Sequence, residues 1–120
     1  MSQTTITQPS GFVAPNIQTY TPAAAGTATL DLSKSTVNHI TMPAGNITIA
    51  TSNSIIGQCF IVRIVQDSVG SRTVTWFTTI KWAEGGTAPT LTTTASKTDT
   101  LGFEVTGSGT YDGFVVGKNI

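Results

Sequence analysis

Residues 28–51 read ATLDLSKSTVNHITMPAGNITIAT, and apolar and polar side chains alternate in three successive runs of this stretch. Within each run the apolar positions are two residues apart: Ala28, Leu30 and Leu32, then Ile40 and Met42, then Ile47 and Ile49. A period of two places side chains of one kind on one face of a β-strand. The Pro-Ala-Gly at 43–45 is typical of a turn. The stretch therefore predicts short strands with one buried face, joined by turns.

The rest of the chain continues this pattern. Residues 59–65, CFIVRIV, are apolar on both faces apart from one arginine and predict a central strand covered on both sides. TVTWF, IKW, DTLGFEV and TYDGFVVGK predict further strands, with Gly-Ser-Gly at 107–109 as a hairpin turn. No segment has a capped period of 3.6, and no tandem repeat is visible. We expect an all-β domain over residues 27–120, a small β-sandwich or jelly-roll-like barrel of about eight short antiparallel strands.

Residues 1–26 differ from this domain and predict an extended N-terminal arm. They carry three prolines, which disfavour regular ladders, and no charged residue. They also carry apolar side chains that a purely flexible tail does not need: Phe12, Val13, Ile17 and Tyr20. We expect these four to contact another protein surface, such as that of a neighbouring subunit. An arm folded along its own domain remains the alternative.

Composition bounds the partners. Of 120 residues 38% are hydrophobic and only 10% charged, and six basic residues balance six acidic ones. A neutral chain has no electrostatic footprint for nucleic acid or an anionic membrane. The first residues, MSQTTITQPSG, show no secretory signal, and no apolar run has the length of a membrane span. We expect neither nucleic acid nor membrane as a partner.

Residues that carry chemistry are few. His39 is the single histidine, expected at a strand surface, and Cys59 is the single cysteine, expected to be buried as a small hydrophobe. One of each does not make a metal site. The six carboxylates are scattered, and no nucleophile elbow occurs. We expect no catalytic residue, no cofactor and no metal, and therefore no enzyme.

Arg63 interrupts the apolar run at 59–65. A buried arginine needs a partner, because an uncompensated buried charge costs several kcal/mol. Glu104, on a later strand, is the predicted partner in a buried ion pair, with Asp99 as a second candidate. A contact with another subunit and a contact with a ligand remain the alternatives.

Both tryptophans, Trp76 and Trp82, lie among threonines between residues 71 and 94. Aromatic faces stack on sugar rings, and they also bury large areas in a core or interface. We expect packing as the main role of both tryptophans, and glycan stacking remains the alternative.

The chain from residue 27 to 120 resembles a β-module of tailed-bacteriophage virion proteins. The resemblance rests on Gly57-Gln58, Gln66-Asp67, the run SRTVTW at 71–76 and IKW at 80–82. It continues through GGTAPTLTTTA at 85–95 and a closing Tyr-x-Gly-Phe followed by Val-Gly-Lys. Such modules look to be present in tail fibres and in small head proteins.

The resemblance implies a non-enzymatic, usually oligomeric protein of the virion, assembled in the host cytoplasm. We expect a capsid decoration (cement) protein that binds the outer head surface as a homotrimer and stabilises the shell. Its partners would be its own copies and the major capsid protein or other virion proteins. The alternative is a tail-fibre or tail-tip component, which could recognise a receptor glycan.

Overall fold

The computed structural model of the chain describes residues 16–83 and 85–120, and these contain strands and turns without any helix. The prediction of an all-β fold is confirmed. The described residues form nine strands: β1 (Ile17–Tyr20), β2 (Thr27–Asp31), β3 (Val37–Thr41), β4 (Ile47–Ser52), β5 (Cys59–Val65), β6 (Val74–Thr75), β7 (Ile80–Trp82), β8 (Thr98–Gly107) and β9 (Thr110–Gly117).

The strands form two sheets that share one core. The larger sheet has six strands in the order β1-β3-β5-β8-β9-β7, and the smaller has three in the order β2-β4-β6. The first six strands alternate between the sheets, so the chain winds through three successive coils. Ile17 lies opposite Val37, and Val37 lies opposite Ile61, so equivalent positions are 20 and then 24 residues apart. The described part of the chain thus forms a short solenoid from β1 to β6, and β8 and β9 form a hairpin after it.

The prediction of antiparallel strands was wrong for most of the fold. Five of the seven strand pairings are parallel, and only β5–β8 and β8–β9 are antiparallel. The turn at 43–45 does not form a hairpin between adjacent strands. It connects β3 of the larger sheet to β4 of the smaller sheet. Inward and outward positions alternate in both kinds of ladder, so alternation does not reveal strand direction.

The core lies between the two sheets. Its buried apolar side chains come from the inner faces of both: Ala28, Leu30, Leu32, Ile40, Met42, Ile47, Ile49, Phe60, Val62, Ile64, Leu101, Phe103, Val105 and Tyr111. Polar groups inside are paired. Asn38 Nδ2 donates a hydrogen bond of 3.2 Å to the carbonyl oxygen of Ile61, and the hydroxyls of Thr51 and Tyr111 lie 2.8 Å apart across the core. Among the described residues no buried side-chain nitrogen or oxygen lacks a partner.

Three further predictions need correction. Residues 17–20, assigned to the arm, form β1 at the edge of the larger sheet, so the folded domain includes them. Strand β5 is central in its sheet but is covered on one face only, since Phe60, Val62 and Ile64 are buried. Cys59, which was expected to be buried, is exposed because it lies on the outer face of this strand. The smaller sheet covers only the inner face of β5. The apolar run at 59–65 therefore does not indicate a strand that is buried on both faces.

Candidate functional site

The outer face of the six-stranded sheet carries a line of apolar residues at one level. The register pairs Ile17 with Val37, Val37 with Ile61, Ile61 with Gly102 and Gly102 with Phe114. We call these five residues the apolar row. It crosses five adjacent strands, which at about 4.8 Å between strands makes it about 19 Å long. Consecutive members come from β1, β3, β5, β8 and β9, so the row exists only in the folded chain.

Three of the five members of the apolar row are exposed to solvent, while Val37 is half-buried and Gly102 is buried. Ile17 is 59% exposed, Ile61 37% and Phe114 45%. The Phe114 ring lies across Gly102, where an added Cβ would stand 2.5 Å from Phe114 Cε2. Glycine in this strand therefore lets the ring lie flat along the row. Scattered exposed apolar side chains are normal, but an ordered line of them marks a candidate contact surface.

Charged residues flank the row on both sides. On one side, two residues further along β3 and β5, lie His39 and Arg63, which face each other in the register. Partial burial, and secondly the nearby Arg63, hold the pKa of His39 below its usual value of 6.5. His39 therefore adds little positive charge near neutral pH, and Arg63 dominates this side.

The other side of the row is acidic in part. Glu104 lies between Cys59 on β5 and Asp112 on β9, and all three share the outer face. Lys81 pairs with Asp112 in the register and lies on the same side. Because Lys81 offsets the charge of Asp112, Glu104 carries the net negative charge on this side.

The predicted buried ion pair between Arg63 and Glu104 is not formed within the chain. Glu104 is exposed and Arg63 only partly buried. The register places Arg63 opposite Thr100 and Glu104 opposite Cys59, so the two charges stand at different levels of the sheet. A separation of four residues along the strands is about 13 Å.

The ion pairs recorded among the described residues lie elsewhere. Arg72 donates to Asp67 at 2.9 Å across the loop after β5, and Lys34 lies 4.0 Å from Asp31. The Gly70 N–H also donates to Asp67 at 2.8 Å. The bonds from Arg72, and then the one from Gly70, lower the pKa of Asp67 below 3.8. These contacts fix loop geometry, and neither of them involves a charged residue of the outer face.

The four predicted contact residues of the arm have different surroundings. Ile17 is exposed and begins the apolar row. Tyr20 points inward, packs against the core, and accepts a hydrogen bond of 3.1 Å from the Asp31 N–H. Phe12 and Val13 lie outside the described residues.

Trp76 and Trp82 both pack against the core. Their ring centroids are 5.3 Å apart, and the ring planes meet at 67° in an edge-to-face contact. Phe103 lies 5.6 Å from Trp76 and 5.5 Å from Trp82. Trp82 also covers Gly113, where an added Cβ would be 2.8 Å from the indole ring. These contacts are the arrangement expected of packing anchors.

Trp82 also borders an open groove of about 380 Å³. The groove is lined by Trp82, Ala83, Thr87, Pro89, Gly113, Phe114 and Val115. No charged side chain is among these, and the mixture of aromatic edges, a hydroxyl and backbone is compatible with a sugar ring. One end of the groove touches the apolar row at Phe114.

Within the described residues, no cluster of three or more histidine, cysteine or carboxylate side chains is arranged to hold a metal ion. The same part of the chain has no helix that could span a membrane.

Four members of the row were not predicted from the sequence: Val37, Ile61, Gly102 and Phe114. Val37, Ile61 and Phe114 each occupy the outward phase of an alternating strand, which was expected to be polar or covered. The apolar outward residues in CFIVRIV and GFVV were the available signal. Their alignment depends on strand register, which the sequence does not display.

The chain matches no model of a known protein family, no curated protein and no solved structure. The resemblance to a phage virion module therefore stays a prediction.

Proposed function

We propose that this chain is a non-enzymatic structural protein of the tailed-bacteriophage virion, a decoration protein that binds the outer surface of the head as a homotrimer. The observation that carries the proposal is the exposed apolar row on an ordered sheet face. A protein whose role is adhesion needs a rigid surface on which apolar groups are presented together. The solenoid coils supply that rigidity, because each backbone strand is held by its neighbours.

The charge balance supports an assembly role. The formal net charge is +0, so copies repel one another weakly when they are crowded on a shell. Binding to the assembled shell, but not to its dissociated subunits, stabilises the shell by mass action. When the free concentration of the binding protein is 100 times its Kd, each occupied site stabilises the shell by about 2.7 kcal/mol. Many such sites would make a weak individual contact effective.

The surface that meets the head is proposed to include Phe12 and Val13. These apolar residues precede β1 by a few positions in an uncharged segment. The apolar row would then serve contacts between copies, and the N-terminal segment contacts with the major capsid protein or another virion protein.

A second candidate function is a tail-fibre or tail-tip component that recognises a glycan. The groove beside Trp82 favours it, since an aromatic edge, a hydroxyl and uncharged walls suit a sugar ring. Trp82 lines the groove, so binding of a host-cell polysaccharide should change tryptophan fluorescence. A fluorescence change that saturates with glycan concentration would support this candidate.

The test mixes the purified full-length protein with purified heads that lack it and, separately, with purified tails, and measures bound protein by co-sedimentation. We expect saturable binding to heads and a higher temperature of DNA release from the heads that bind it. Binding to tails alone would favour the second candidate, and binding to neither would overturn a virion role.

The contact segment is tested in the same assay with the double variant Phe12→Ser, Val13→Ser. We expect head binding to fall at least about tenfold, because each buried apolar side chain contributes on the order of 1.5–3 kcal/mol. The matched control replaces Gln3 and Gln8 by serine and should bind as the unaltered protein does. Equal binding by both double variants would remove the segment from the interface.

A further inference from the structure

We infer that the apolar row is the contact between three copies of this chain, arranged about a three-fold axis that runs parallel to the row. The inference rests on the homotrimer of the proposed function and assigns it a surface. It also supplies a partner for Arg63, since no acidic side chain among the described residues forms an ion pair with it.

The shape of the row favours three copies. It is one residue wide and about 19 Å long, because five strands are separated by four spacings of about 4.8 Å. Two facing sheets pack about 10 Å apart and bury several rows of side chains. Here the neighbouring rows contain Arg63, His39 and Glu104, and burying these charges between flat sheets would be costly. Three rows that meet at an axis bury mainly the apolar side chains.

The charges select how neighbours meet. In a closed ring each copy offers one side of its contact surface to the opposite side of the next copy. The side with Arg63 would therefore meet the side with Glu104 of the next copy at every seam. Cys59, on the strand of Arg63, and Glu104, on the adjacent strand, are directly paired in the register. The arginine of one copy would thus lie close to both residues of its neighbour.

This arrangement is open to a charge-swap test, read by sedimentation equilibrium of the full chain at micromolar concentration. The unaltered protein should be a trimer. Arg63→Glu and Glu104→Arg should each weaken trimer association at least about tenfold, because three seams each lose an exposed pair and gain a repulsion. The double variant that carries both changes should recover association to within about threefold of the unaltered protein. Failure of the double variant to recover, while it remains folded by circular dichroism, would overturn the pairing.

Cys59 permits a second, covalent test. Residues 59 and 63 are on one strand and about 13 Å apart, too far for a disulfide within one chain. In the ring, Arg63→Cys would place a thiol beside Cys59 of the neighbouring copy, and each copy would form two such bonds. We expect mild oxidation of this variant to give a covalent trimer on a non-reducing gel.

Two control variants accompany this test. Arg63→Cys combined with Cys59→Ser lacks the second thiol and should give no trimer. Thr29→Cys, an exposed position on the smaller sheet, keeps Cys59 but should also give none. A covalent dimer as the end product, or no cross-linked species at all, would overturn the three-fold arrangement.

The row itself is tested by Gly102→Ala. An added methyl group would displace the exposed Phe114 ring, which can move into solvent, so the fold should persist while trimer association falls about tenfold or more. Unchanged association would contradict the role of the row. If the protein binds heads but stays monomeric, the trimer contact is refuted and the virion role is not. If it forms trimers that bind neither heads nor tails, the virion role is refuted and the trimer contact is not.

Discussion

Replacing Phe103 by alanine should destabilise the fold more than an equivalent change on the outer face. Phe103 is fully buried, and its ring lies 5.1 Å from Phe60, 5.1 Å from Phe77 and 5.5 Å from Trp82. A buried Phe→Ala change costs about 3–5 kcal/mol, from lost burial and the cavity left behind. Small domains have only about 5–15 kcal/mol of stability in total. Phe103→Ala should therefore remove a large part of the free energy of unfolding.

Phe114→Ala is the matched control, because it makes the same chemical change on the adjacent strand. The Phe114 ring is 45% exposed on the outer face, so alanine there removes roughly half a buried ring and leaves no internal cavity. We expect a cost of about 1 kcal/mol to the isolated chain. The ratio of the two costs should be about three or more.

Urea unfolding followed by tryptophan fluorescence measures both variants, at a concentration low enough for the unaltered chain to be monomeric. The midpoint should fall steeply for Phe103→Ala and slightly for Phe114→Ala. If Phe103→Ala is too unstable to study, Phe103→Leu should give an intermediate loss of about 1–2 kcal/mol. Equal losses at positions 103 and 114 would refute the assignment of inner and outer faces.

Three further predictions concern local contacts. Gly113→Ala should lower stability by about 1–3 kcal/mol in urea unfolding, because the methyl group collides with the packed Trp82 ring, and a neutral result would contradict that packing. Burial, and secondly the nearby Arg63, lower the pKa of His39 in the folded protein below 6.5. The resulting contribution to stability is therefore present above pH 6.5 and is lost as the pH falls through the lower folded pKa. His39→Gln should flatten this decrease in Tm with falling pH, and an unchanged profile would contradict the assignment. Asp67 has a pKa lowered by its hydrogen bonds, so stability should decline as pH falls below 3.8, and Asp67→Asn should remove this part of the acid dependence; an identical acid profile would contradict the loop contact.

Much of the inner face could be predicted from sequence. The alternation at 28–32 and 47–49 correctly places Leu30 and Ile49 inside, because a period of two reports which residues share a face. The hairpin at 107–109 was predictable for a similar reason, since glycine and serine between two alternating runs favour a turn. Packing was the role expected of both tryptophans from their large apolar area, and in the structure both rings pack against the core.

Strand direction and register could not be predicted in the same way. The three coils share an alternating pattern and not identical residues. Equivalent positions in successive coils are 20 and then 24 residues apart, so no repeat of fixed length is visible in the sequence. The separation of Arg63 from Glu104 follows from the pairing of β5 with β8, which depends on the fold as a whole. The apolar row has the same origin, because its members are distant in sequence and meet only through register.

The role of this protein as a head decoration protein is tested most directly by its position in an image reconstruction of the particle. We expect density for groups of three copies on the outer surface of the head, with the outer faces of the six-stranded sheets turned toward each local three-fold axis. A head surface without this density, with the protein found at the tail tip or absent from the particle, would contradict the decoration role.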